Sequence, residues 1–497
     1  MSHPQRHADW HQMAADMRFE TRAYINDQFV DAASGETFET LNPATGKCLA
    51  QVASCDGPDA ELAVGHARAA FQAGEWSRLA PVRRKKTLLA LAELMEANRH
   101  ELALLDTLDM GKPITSSLGD MQGAIGCVRY HAESIDKLFG EVAPTGDDSL
   151  ALVLREPLGV VASIVPWNFP LMMTAWKIAP ALAAGNSVIL KPSEKSPLSA
   201  LRLAELAREA GLPSGVFQVL PGFGHTVGKA LALSMGVDCL SFTGSTQVGK
   251  QLMQYAGQSN LKKVYLECGG KSPNLVFADC KDLDRVARHA AEAIFHNQGE
   301  VCIAGSRLLV ENSIRAAFVE KVLAAAETMQ PGDPLDPESF MGAMVDETQH
   351  RRVLDFIRQG VEEGASLRAG GEALKGDGWF IPPTVFDGVT PQMVIGREEI
   401  FGPVLAIFGF DSEEEAIAMA NDSDYGLAAG FWSQDIDRIM RVTRRLHSGQ
   451  VFVNNWAGGD QTVPFGGVKQ SGNGRDKSHH SLEEYSELKT VWMSLAT

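Results

Sequence analysis

Cys302 stands in "NQGEVCIAG", Asn297 to Gly305, a glycine-flanked and largely polar turn with no second Cys or His beside it. A structural cysteine usually sits among apolar neighbours, and a zinc ligand usually has a partner a few positions away. A lone thiol in such a turn suits nucleophilic attack instead, because the thiolate is the strongest ordinary side-chain nucleophile toward carbonyl carbon. Attack creates an oxyanion that needs preplaced donors, and Asn168 in "PWNFP" and the amide of Cys302 are donors of that kind. A thioester left on sulfur needs an activated water, which a carboxylate such as Glu267 in "LECGGKSP" can provide. No histidine is required. Singly, Asn168 reads as a turn residue, Glu267 as a surface charge and Cys302 as an inert thiol; their joint occurrence points to catalysis.

Three further segments can hold a nucleotide. "KPSE", Lys191 to Glu194, ends a strand-like run, where open α/β sheets bind ligands. A lysine there reaches ribose or phosphate oxygens, and a carboxylate accepts ribose hydroxyls while repelling a 2′-phosphate, which favours NAD over NADP. "FTGSTQVG", Phe242 to Gly249, is a strand–Gly–helix junction whose free amides can face an anion. "GFGHTVG", Gly222 to Gly228, has GxGxxxG spacing, one residue too long for the usual phosphate turn, and is weak alone.

Alternating elements must position these residues. "GVVASIVP", "NSVILKP", "GVFQVLPG" and "VDCLSFTGS" read as strands, separated by helices in "PLMMTAWKIAPALAAG", "SPLSALRLAELAREAGLP" and "HTVGKALALS". This is the βαβαβ order of a parallel doubly wound sheet. A second series follows, with helices around 282–296 and 314–329 and strands at "SRLLVEN", "PTVFDGV" and "LAIFGF". Gly269 and Gly270 separate the two series and are the expected hinge. "LALVLREP" (150–157) and the C-terminal tail read as projecting strands of the sort buried against another subunit.

Composition narrows the partners. With 497 residues, 45% hydrophobic and 22% charged, the chain suits a multidomain globular protein, and its net charge of −17 opposes broad contact with nucleic acid or anionic lipid. Seven scattered cysteines without a CxxC pair indicate neither a disulfide framework nor a zinc ribbon, so no metal is expected and a reducing, cytoplasmic setting fits. The N-terminal segment lacks the apolar core of a signal peptide, and "LGVVASIVPWNFPLMMTAW" is interrupted before it reaches a membrane span.

In their order, "PWNFP", "KPSE", "FTGST", "LECGGKSP", "NQGEVC", "EEIFGPV" and "PFGGVKQSGNGRD" make the chain resemble the NAD(P)-dependent aldehyde dehydrogenases from about residue 20 to its end. The resemblance implies an α/β fold with a Rossmann-type cofactor domain (1–138 and 160–269), an α/β catalytic domain (270–477) and a small β oligomerisation flap (139–159 and 478–497), assembled as a homotetramer. It implies Cys302 as nucleophile, Glu267 as general base, Asn168 as oxyanion donor and Lys271 as an aid to a proton path. For NAD it implies Ile164, Pro166, Trp167, Lys191, Glu194, Gly224, Gly228, Phe242, Gly244, Ser245, Val248, Glu399 and Phe401. Cys268 occupies a place beside the nicotinamide where leucine is usual, either as a small apolar filler or as a thiol that oxidation could join to Cys302.

The same resemblance places the aldehyde tunnel among Asp120, Ala124, Phe169, Met172, Met173, Trp176, Val301, Ile303, Trp456, Ala457 and Phe465, with Asp460 as a second acid. Asp120 in "GKPITSSLGDMQG" is similar to the acidic position of aminoaldehyde dehydrogenases, and a carboxylate at a tunnel mouth can pair with an ammonium or guanidinium. The expected substrates are therefore 4-guanidinobutyraldehyde, 4-aminobutyraldehyde or γ-glutamyl-γ-aminobutyraldehyde, from polyamine and arginine breakdown. The alternatives are a broad aliphatic or betaine aldehyde dehydrogenase, a CoA-acylating relative, and a structural protein on the same fold.

Overall fold

The computed structural model describes residues 6–495; residues 1–5 and 496–497, the extreme ends of the segments read above, lie outside the described residues. A seven-stranded sheet runs in the spatial order Lys263–Glu267, Cys239–Thr243, Val160–Ile164, Ser187–Lys191, Phe217–Val219, Ala23–Ile25 and Gln28–Val30. Its first five strands are parallel, and the last two are an antiparallel hairpin added at the edge. Both faces are covered. Val161, Val188, Leu190 and Val219 enter one core, while Val160, Ala162, Ile189 and Leu240 enter the other. That two-sided burial is why these strands read as continuous apolar runs rather than alternating ones.

The second seven-stranded sheet runs Ser366–Ala369, Thr384–Asp387, Val404–Phe410, Arg307–Glu311, Pro273–Val276, Ala428–Trp432 and Gln450–Val453. It too is packed on both faces, with Leu275, Leu309 and Phe408 on one side and Val276, Leu308 and Ile407 on the other. The chain passes from the first sheet to the second through Cys268 to Ser272, so the Gly269–Gly270 pair lies between the two sheets.

One sequence expectation changed. The "HTVGKALALS" segment is not one α-helix: Gly224–Gly228 forms a single wide π-turn, in which the Gly228 amide donates to the Phe223 carbonyl at 3.3 Å, followed by the short helix Lys229–Leu233. The wider turn absorbs the extra residue of the GxGxxxG spacing. The two projecting strands form the expected small β flap by pairing with each other, Ser149–Pro157 antiparallel to Ser486–Ser494 from Ser149↔Ser494 to Pro157↔Ser486. With Glu141–Ala143 they form a three-stranded sheet that leaves Val142, Leu488 and Trp492 exposed. Among the described residues, no helix is long and apolar enough to cross a membrane.

Candidate active site

Strand order determines where the site lies. Val160–Ile164 and Cys239–Thr243 are neighbours, but the chain leaves them toward opposite edges of the sheet, opening a crevice at their C-terminal ends. Pro166, Trp167 and Asn168 follow the first strand into that crevice, and Gly244 and Ser245 follow the second. Ser245 caps the helix Thr246–Gln258, accepting a hydrogen bond from the Val248 amide at 3.3 Å. Lys191 ends the next strand, buried, with its Nζ 3.1 Å from Glu194. Helix amides, a buried ammonium and a carboxylate able to accept hydroxyls form a donor set that fits a dinucleotide.

The cysteine turn is held by an unusual backbone. Asn297, Gln298 and Gly299 follow the helix Leu283–Phe295 with φ of 51°, 57° and 72°, three consecutive left-handed residues. Each non-glycine residue in that region costs about 1–2 kcal/mol, least for asparagine, so the surroundings must hold the turn in place. Gln298 donates to the Ala343 carbonyl at 3.1 Å and accepts from the Gly342 amide at 2.9 Å; Glu300 accepts from the Val345 amide at 3.1 Å. Gly299 is required for a further reason, since a Cβ there would collide with the Gly402 carbonyl. Asn168 is tied to the same turn through Nδ2, which donates to the Glu300 carbonyl at 2.9 Å and keeps a second N–H for another acceptor.

Cys302 opens into a cavity of about 400 Å³. One wall is apolar, formed by Phe169, Met172, Met173, Trp176, Val301, Ile303 and Phe465, with the Trp176 and Phe465 rings 4.9 Å apart. The other carries Thr243, Gly244, Ser245, Lys195, Arg352 and Glu399, and is closed by Phe401 set edge-on to Trp167 at 5.2 Å. Cys268 also borders it. A Cβ on Gly249 would lie 3.0 Å from the Cys268 sulfur, so the thiol packs toward that helix as apolar filler does.

Burial sets the electrostatics. It pushes the Cys302 thiol up to about 12, helped by Glu399 and Glu267, so the resting group is un-ionised at neutral pH. Glu267 is 2% exposed, and neither carboxylate oxygen has a hydrogen-bond partner. Its pKa lies well above the usual carboxylate range because of burial and of Asp476, against the opposing pull of Lys177 and Arg475. Lys271 is buried with an unpartnered Nζ, and burial followed by Arg307 lowers it to about 7. Burial raises Glu399 to about 7, although its Oε1 accepts the Gly270 amide at 3.0 Å. A Cβ on Gly269 would collide with Glu399, which explains the glycine there.

Some residues named from sequence lie elsewhere. Asp120 does not line the cavity; its Oδ2 is 2.5 Å from Nζ of fully buried Lys112, which itself stands 3.9 Å over the Phe169 ring. The carboxylate therefore already has an internal counter-ion. Asp460 is exposed and uses Oδ1 to accept the Thr462 amide and hydroxyl at 2.8 and 2.6 Å. Trp456 packs on Gly305 and Gly430 without bordering the cavity, as do neither Ala124 nor Ala457. Ile164 and Phe242 are core residues, Val248 is exposed on the capped helix, and Lys191, Glu194, Gly224 and Gly228 lie along the sheet edge beyond this cavity.

Sequence reasoning missed Lys177 and Asp476, a fully buried ion pair at 2.7 and 2.9 Å whose charges act on Glu267. A lysine inside the otherwise largely apolar "MMTAWKIAP" was the available signal. Lys195, Arg352 and Gln349 on the cavity wall carried none.

A family model described as "Aldehyde dehydrogenase family" matches residues 29–491. The NADP/NAD-dependent aldehyde dehydrogenase PuuC of Escherichia coli K12 is 54% identical over 489 residues, covering 98% of each chain. Among solved structures, the C302A mutant of the Pseudomonas syringae indole-3-acetaldehyde dehydrogenase AldA, in complex with NAD+ and IAA, superposes with a TM-score of 0.98 at 56% identity, over 99% of this chain and 100% of that one. The γ-glutamyl-γ-aminobutyraldehyde dehydrogenase of Burkholderia cenocepacia J2315 gives 0.97 at 54%, again over 99% and 100%. With residues 29–491 matched by the family model and 98% of the chain aligned to PuuC, the chain belongs to the aldehyde dehydrogenase family and is an NAD(P)-dependent enzyme of it.

Proposed function

We propose that the enzyme oxidises ω-amino, ω-guanidino or γ-glutamylamino aldehydes to carboxylic acids at Cys302, and that it prefers NAD to NADP. NAD, when bound, supplies the two-electron acceptor, and Lys191, Glu194, Ser245 and Glu399 are the residues to hold it. The observation that carries the chemistry is Cys302 facing one cavity with a tethered Asn168 amide, while the partner-free carboxylate of Glu267 is near enough to raise the thiol's pKa.

The thiol is un-ionised at rest, so its proton leaves as the C–S bond forms, and Glu267 is the base suited to take it. The free N–H of Asn168 and the Cys302 amide meet the oxyanion of the thiohemiacetal. After oxidation to the thioester, Glu267 removes a proton from water for hydrolysis. Its raised proton affinity makes it a stronger base than an ordinary carboxylate, and Lys271, lowered to about 7, can pass the proton onward.

The likeness to the γ-glutamyl-γ-aminobutyraldehyde dehydrogenase supports the amino-substituted substrates; Asp120, outside the cavity lining and paired with Lys112 through Oδ2, would act on them only through its other oxygen. The Lys112 pairing and the apolar wall favour a second reading, a broad-specificity enzyme for apolar aldehydes. The exposed apolar residues of the three-stranded sheet support assembly as a homotetramer.

NADH absorbance with 4-aminobutyraldehyde, 4-guanidinobutyraldehyde and butanal, each with NAD and NADP, separates these readings. The kcat/KM ratio of amino aldehyde to butanal should fall about tenfold in Asp120→Asn, roughly 1.4 kcal/mol. The ratio cancels any general damage from leaving Lys112 unpaired. An unchanged ratio rejects the Asp120 role and leaves the broad reading, and activity surviving in Cys302→Ala rejects the mechanism.

A further inference from the structure

His7 and His11 lie one turn apart on the helix His7–Asp16, and their Nε2 atoms are 2.8 Å apart. Both point at one oxygen, Oδ2 of Asp333, at 2.9 and 2.8 Å. Asp333 belongs to the distant loop before Met341, and its orientation is fixed: Oδ1 accepts the Leu335 amide at 2.9 Å and its carbonyl accepts the Ser339 hydroxyl at 2.7 Å. The helix is seated by Trp10, which is 1% exposed, with Met13 and Ala14 packed on the same core. Two elements thus present three ligand atoms of metal-binding type to one point, with the Asp333 ligand already held by its own supporting hydrogen bonds.

The protons of these groups cannot all be placed well. If both Nε2 atoms carry hydrogen, two N–H groups confront each other; if one is bare, its lone pair faces the carboxylate oxygen. A cation shared by the three lone pairs removes either conflict. A metal about 2.0–2.1 Å from each ligand stands a little above the plane of the three atoms, and a tetrahedral arrangement asks them to spread by only about 0.5 Å. Beside them a cavity of about 620 Å³, bordered by His11, Ala14, Phe19, Cys48 and Asp333, gives water or a small anion access to the remaining coordination positions.

We propose that His7, His11 and Asp333 form a binding site for a borderline divalent transition metal such as Zn²⁺, Ni²⁺ or Co²⁺, which pins the N-terminal helix to the loop carrying Asp333. A metal here would run against the sequence expectation of none. The His-x3-His spacing was legible, but the third ligand stands 322 residues from His11. The same loop runs into Gly342, Ala343 and Val345, which hold the cysteine turn, so the metal braces a support of the reacting centre.

The test titrates Co²⁺ into full-length, EDTA-stripped enzyme, followed by d–d absorbance and by melting temperature. A Cys302→Ala background keeps the reactive thiol from taking the metal. One saturable Co²⁺ per chain, displaced by Zn²⁺ and accompanied by a rise in Tm, is expected. In His7→Gln/His11→Gln and in Asp333→Asn the affinity should fall by at least the ~10–100-fold that loss of a mere supporting partner costs, and the Tm rise should vanish. All three side chains are partly exposed, so the variants should fold. Unchanged stoichiometry and affinity in the double variant, or no saturation without these substitutions, would overturn the site.

Discussion

Glu267→Gln is the perturbation that bears most directly on the mechanism. Glutamine has the same shape, and the Glu267 carboxylate makes no hydrogen bond in the structure, so the change removes a base without breaking a side-chain hydrogen bond. Loss of a positioned general base costs about 10²–10⁴ in rate, or roughly 3–5 kcal/mol of transition-state stabilisation. Stability should move the other way. Burial raises the Glu267 pKa well above 4.5, so between that value and the raised one the folded state keeps a proton that the unfolded chain gives up. Stability therefore falls as pH rises through that interval, and the carboxylate is a net cost above it. Glutamine never ionises, and the variant should melt no lower than the parent at pH 8, both compared at one scan rate. The assays are steady-state kcat from pH 6 to 9.5 and differential scanning fluorimetry across the same range. The parent's kcat should rise with pH through the titration of Glu267, and the variant should lose that limb. A loss under tenfold, or a loss tracking a drop in Tm, would refute the assignment.

Gly299→Ala places a Cβ at φ +72° against the Gly402 carbonyl, so the cysteine turn should lose about 2–4 kcal/mol and kcat should drop, read together by denaturant melts and NADH production; unaltered stability would show that the left-handed turn is not required. Lys271→Met removes a buried ammonium whose pKa is lowered to about 7 from 10.5. Between those values the unfolded chain binds the proton that the folded state sheds, so the parent's stability rises with pH over that interval and the charge-burial cost is full below it. The variant should therefore gain most in Tm near pH 6, with a ceiling of about 4–5 kcal/mol, and converge on the parent toward pH 10; parallel profiles would refute it.

How much of this was legible follows from how each feature is encoded. The parallel strands are buried on both faces, so they stand out locally as apolar runs, and the helices between them carry their own stops. The antiparallel pairing of Ser149–Pro157 with Ser486–Ser494 is encoded only in the meeting of two strands far apart in the chain, and neither names its partner. The same division runs through the site. Cys302, Asn168 and Glu267 stand out in the sequence because their chemistry is complementary, but Glu267, which singly reads as a surface charge, is among the most buried carboxylates. Asp120 was legible as an acid and not as half of an ion pair, since Lys112 reaches it only once the chain from Gly111 to Asp120 has turned into its helix.

That hidden burial answers how the site manages without histidine. Among the described residues none of the cavity's lining side chains is a histidine. Acid–base chemistry near neutral pH needs groups whose proton affinity lies near it, and ordinary carboxylates and lysines lie several units away on either side. Here burial moves Glu399 up to about 7 and Lys271 down to about 7, and raises Glu267 well above its ordinary value. The three flank the glycine passage between the sheets: Glu267 at the end of one strand, Lys271 just before the next, Glu399 bonded to the Gly270 amide. On the proposed mechanism, the desolvation that costs stability at Lys271 and Glu267 is what would supply its proton carriers, and relieving it by substitution should stabilise the fold and silence the site together.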